Sequence, residues 1–141
     1  MSQTILLTEA ETRRLANLEK RYREAARQRL EERVAFYHAR TGGRYASIAV
    51  RDQKTRWGSC SSRGTLSFNY RLIFAPARVL DYVVVHELCH LTHMNHSRDF
   101  WNMVASVMPE YKVHRLWLKE HGQELTLAHY LEQKGIPVTL R

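Results

Sequence analysis

Residues 76–101 read PARVLDYVVVHELCHLTHMNHSRDFW, and this stretch decides the fold. Pro76 suits the first position of a helix, where its missing N–H would be unpaired anyway. Val79, Leu80, Val83, Val84, Leu88 and Leu91 then give apolar coverage around most of that helix, so it must be buried. Two histidines and a carboxylate interrupt the apolar run, as His86-Glu87-Leu88-Cys89-His90. Positions i and i+4 share a helical face, so the two imidazoles can reach one metal ion. Glu87 is turned about 100° from its neighbour and stands close enough to take a proton from a water on that ion. At this composition random order would give only about 0.03 such patterns.

A third ligand candidate follows at His96, six residues after His90. One continuous helix could not bring it back, but Asn95 is expected to stop the helix in the left-handed region. Ser97, with Asp99 two residues on, reads as a new helix N-terminus. The chain can therefore turn and present His96 to the pair. Three neutral imidazoles plus an open position is the ligand count of a catalytic zinc site, so one Zn²⁺ is expected. His93 is expected behind the ligands or at the surface, with a place as fourth ligand the alternative, and Cys89 is expected in the packing.

Outward from this centre the pattern changes twice. Toward the N-terminus, Thr8 and Glu11 have capping-box spacing, and a helical stripe runs through Leu15, Leu18, Tyr22, Ala25, Val34 and Tyr37, broken once at Arg29, until Gly42-Gly43. That predicts a helix of roughly 30 residues, about 45 Å long, whose first turns are long enough to project as an arm. From Tyr45 to Arg51 the residues alternate, and Trp57–Cys60 and Thr65–Phe74 flank the turn residues Ser61-Ser62-Arg63-Gly64. A half-buried antiparallel sheet of three strands follows. Beyond the histidines, helices are expected over 98–108, 110–121 and 127–134.

The 141 residues suit one domain: a helical arm over 1–43, a catalytic core over 44–121 and a tail over 122–141. No apolar run reaches the ~18–20 residues of a membrane span, and no secretory signal is visible, so a cytoplasmic protein is expected. Cys60 and Cys89 form no disulfide framework. The formal charge of +8 lies wholly in residues 1–75, which hold 15 Lys/Arg against 7 Asp/Glu, while residues 76–141 hold 7 of each. A basic half of this kind allows association with nucleic acid.

Four segments together resemble the YgjP-like metallopeptidase family: Arg56-Trp57-Gly58-Ser59-Cys60-Ser61-Ser62, Asn69 to Pro76, Asp81 to His90, and Met94 to Trp101. The resemblance spans roughly residues 45–121. It implies an α+β minimal zincin fold, a small sheet packed on the H-E-x-x-H helix, as in the related SprT and WLM families, some of whose members act on proteins attached to DNA. It further implies zinc held by His86, His90 and His96, with Glu87 as the catalytic carboxylate.

The expected activity is zinc-dependent hydrolysis of peptide bonds in a protein or peptide substrate. Tyr70, His93 and His114 are candidates for an added donor to the oxyanion, and the polar edge of the Trp57 or Thr65 strand could accept an extended peptide. Two alternatives stand beside it. A metal-dependent ribonuclease family has the same three-histidine spacing but lacks the carboxylate beside the first ligand. A zinc-stabilised nucleic-acid-binding module would want a fourth protein ligand and would catalyse nothing.

Overall fold

Helix α2, Ala77–Cys89, is the element on which the rest is assembled. Residues 79 to 85 and 87 to 89 are all buried in the computed structural model, which describes residues 7–135. Helix α1, Glu9–Thr41, lies along α2 and buries Ala26, Leu30, Val34 and Tyr37 against the core. Its 33 residues are capped by Thr8, whose Oγ1 accepts from the Glu11 N–H, and by Gly42, φ 68°. The buried residues all fall in the second half of the helix, from Ala26 on.

Three strands form the sheet: β1 (Ser47–Arg51), β2 (Gly58–Cys60) and β3 (Thr65–Asn69), in the order β1-β3-β2. The β2–β3 hairpin is antiparallel, as the turn residues predict, and Gly64 takes the left-handed conformation there at φ 88°. The β1–β3 pair is parallel, so the expected all-antiparallel sheet is corrected to a mixed one. The segment 52–57 carries the chain past the place of β3 to the far edge, and the hairpin then folds β3 back between its predecessors. Alternation reports which face a residue occupies and carries no information on strand order, so this crossing was not legible. It also makes β3 the central strand, leaving β1 and β2 as the edges.

The third strand is shorter than the expected 65–74. Asn69 stops it: its Oδ1 accepts from the Arg71 N–H at 3.0 Å, a local bond that competes with the ladder. Residues Tyr70–Phe74 form a 3-10 turn instead. The Asn69 Nδ2 donates to the carbonyls of Gln53 (2.6 Å) and Arg56 (3.0 Å), pinning the crossing segment. Beyond α2 come α3 (Arg98–Val107), α4 (Tyr111–His121) and the short α5 (Leu127–Gln133), near the expected bounds. The fold is α+β, as expected.

Candidate metal centre

Helix α2 ends earlier than its apolar pattern suggests. Cys89 is its last residue, His90 is the cap, and two turn residues follow before the loop to α3. Asn95 does not adopt the left-handed conformation, since no described non-glycine residue has positive φ. The reversal is made sooner, where the His90 ring Nδ1 lies 3.0 Å from the His93 carbonyl. That carbonyl can only accept, so Nδ1 donates and the neutral His90 ring keeps Nε2 as a bare lone pair. A carbonyl fixing the far nitrogen of a ring is the usual support for a metal-binding histidine.

His96 arrives on this loop just ahead of α3. The Ser97 Oγ caps that helix by accepting from the Phe100 N–H at 3.2 Å. The first turn of α3 then holds the rings: Phe100 stacks on His90 at 4.4 Å between centroids, and Trp101 stacks on His96 at 5.8 Å. His86, His90 and His96 each offer a nitrogen, all within 4.8 Å of one another. His90 Nε2 and His96 Nε2 are 3.1 Å apart. Two nitrogens on a tetrahedral zinc ion stand about 3.3 Å apart, so this pair already has ligand spacing. Partial burial of the ring, and then the charge it would share with His86 and His90, lowers the His96 pKa. Both causes favour the neutral form that can bind a cation. The donor set fits a divalent ion of borderline softness.

Glu87 lies beside this trio and is 4% exposed. Its Oε2 is 3.1 Å from His86 Nδ1. Strand β2 passes directly over it: a Cβ added at Gly58 would lie 2.9 Å from the Glu87 Cγ and 2.9 Å from its Oε2. Only glycine lets the sheet come so close to this carboxylate. His86 and Glu87 open into a cavity of about 270 Å³ walled by Trp57, Val83 and Leu118, with Tyr82 and Arg115 at its sides. Burial pushes the Tyr82 hydroxyl up to about 12, so it stays a protonated donor at neutral pH.

Of the other residues considered for the site, none joins the three donors by its side chain. His93 contributes through its carbonyl. Tyr70 is buried beneath α1, with the Arg23 guanidinium 4.9 Å from its ring centre. His114 faces Glu110 at 3.3 Å, while Arg115 turns toward the cleft. Buried Cys89, its thiol pushed up to about 12 by burial, belongs to the packing as expected. Sequence reasoning passed over Gly58, Tyr82, Arg115 and Trp101. The spacing of Tyr82, one turn before His86, was the available clue.

Among the described residues, no helix is long and apolar enough to cross a membrane. The sequence profile described as YgjP-like, metallopeptidase domain matches residues 2–121, so the match takes in α1 as well as the sheet and the histidine helix. The chain belongs to the YgjP-like metallopeptidase family. Among solved structures it is similar to the metallopeptidase zymogen abylysin of Pyrococcus abyssi, at 23% identity and a TM-score of 0.57. That likeness covers 64% of this chain and 93% of the other, and speaks for the fold. No curated protein matches the chain. Family membership implies a metal ion, and the three imidazoles could bind one.

Proposed function

We propose that this protein is a zinc peptidase in which His86, His90 and His96 hold one ion and Glu87 is the general base. A bound zinc ion supplies a Lewis acid that polarises the scissile carbonyl and acidifies water. Glu87 takes the proton of the attacking water and delivers it to the leaving amine. The cover provided by β2 holds that carboxylate in one place and keeps bulk solvent off it. Tyr82 donates to the carbonyl oxygen as negative charge develops there, a role that the positions of Tyr70 and His114 do not suit. An extended substrate adds to the free edge of β2, whose sheet pairing, among the described residues, is with β3 alone.

The observation that carries this reading is the juxtaposition of a buried carboxylate and three facing imidazoles, with His86 and Glu87 lining one cleft. Glu87 also favours amide hydrolysis over the ribonuclease alternative, whose family lacks that carboxylate. The test is Glu87→Gln in zinc-loaded protein, assayed on unfolded protein and on RNA. Zinc content should stay at the wild-type level while peptide hydrolysis falls by at least about a hundredfold. Undiminished turnover, or cleavage of RNA in place of protein, would overturn the assignment.

A further inference from the structure

A second cavity of about 200 Å³ adjoins the cleft at Glu87, and Trp57 and Leu118 line both. The indole is seated against Gly122, where an added Cβ would meet its Cζ2 at 2.8 Å. Lys54, Arg56 and Lys119 line the second cavity, and no carboxylate does. Arg71, also at its wall, is taken by Asp52 at 3.1 Å. Neither those three cations nor Arg115 has a carboxylate within ion-pair distance among the described residues. The Arg115 guanidinium is instead held 4.8 Å over the Trp101 ring.

Four cations without a carboxylate partner therefore line two adjoining cavities, the first of which holds the proposed base. Like charges gathered beside apolar walls repel each other and focus a positive field along the groove. The cost of gathering them falls when anionic groups enter. The positions are also prepared in advance, because Asn69 ties down the segment that carries Lys54 and Arg56. We propose that the groove receives an acidic stretch of polypeptide, with carboxylate side chains on one side of the cleaved bond meeting Arg115, Lys119, Arg56 and Lys54. This rests on the peptidase reading. A polypeptide is favoured over a nucleic acid because the cations extend the cleft of an amide-cleaving site, in cavities of side-chain size.

Two labelled peptides with the same central sequence test it, one carrying a glutamate block on one side and the other a glutamine block. Binding is read by anisotropy on the Glu87→Gln protein, and cleavage on the zinc-loaded wild type. The glutamate peptide should bind about tenfold more tightly. Arg56→Glu with Lys119→Glu should abolish that preference. Arg44→Glu with Arg63→Glu, an equal charge change at exposed positions outside the groove, should preserve it. Equal affinity for both peptides, or equal loss in both double variants, would overturn the proposal. So would an oligonucleotide that outcompetes the glutamate peptide and depends on Arg56 and Lys119. Cleavage of both peptides at one rate would support the peptidase reading and refute the acidic groove. Selective binding with no cleavage would do the reverse.

Discussion

Asp81 near the start of α2 and Glu87 near its end are both buried carboxylates, 3% and 4% exposed, yet their surroundings differ in kind. Arg33 grips Asp81 with two parallel bonds, Nε to Oδ1 at 2.8 Å and Nη2 to Oδ2 at 3.0 Å. The Tyr37 hydroxyl adds a third at 2.9 Å, and Arg78 stands 3.6 Å away. Glu87 has the His86 ring as its side-chain hydrogen-bond partner. Burying a charge is costly unless donors satisfy it. At the first end the protein closes the account itself, fastening α1 to α2. At the other, hydrogen-bonding capacity is left for a ligand. One helix thus separates the work of holding the fold from the work of the site.

If that separation is real, damage at one end should leave the other intact. Removing the Asp81 carboxylate strands Arg33 and the Tyr37 hydroxyl. Asp81→Ala should lower unfolding stability by about 3 kcal/mol, read by urea denaturation, with zinc affinity of the folded fraction unchanged. A parallel loss of zinc affinity would show the two ends to be coupled. Gly58→Ala probes the opposite end. Its new methyl group must displace a buried carboxylate, so kcat should fall by tenfold or more, on the order of what ~1 Å of misplacement costs. Zinc stoichiometry and urea midpoint should hardly move, and full activity would mean that Glu87 shifts freely.

The smallest effect lies at the rim of the structural end, where Arg78 reaches on to Glu110, the residue just ahead of α4. The Arg78 guanidinium, helped by the Glu110 backbone and by His114, holds that carboxyl down at about 2, against an ordinary value of 4.5. The folded state binds this proton more weakly than the unfolded chain. Its contribution is therefore whole above pH 4.5 and disappears as pH falls through about 2. The carboxylate is solvated, so about 0.5 kcal/mol is expected. The stability gap between wild type and Glu110→Gln should accordingly be open at pH 6 and closed near pH 2. A gap that persists to pH 2 would place the interaction elsewhere.

The sequence was most informative where local chemistry dictates structure. Thr8 and Ser97 cap helices as their spacing requires, and the apolar run over 79–91 marks the buried helix. His86, Glu87 and His90 share a helix turn, so their proximity could be read directly. His96 needed a reversal of the chain. The sequence suggested one at Asn95, whereas the His93 carbonyl and the early end of α2 accomplish it. What lay beyond reach depends on contacts distant in the chain. Gly58 over Glu87, Arg115 on Trp101 and the parallel β1–β3 pair each join segments whose meeting no periodicity encodes. Tyr70 and His114 were singled out by residue type, and tertiary packing gave both to the scaffold.

Calorimetric titration of metal-free protein with Zn²⁺ tests the central assignment most directly. One ion per chain should bind, and His96→Ala should lose most of that affinity while remaining folded. A protein that takes up no zinc, or a His96→Ala variant that binds it as tightly as wild type, would contradict the three-imidazole centre.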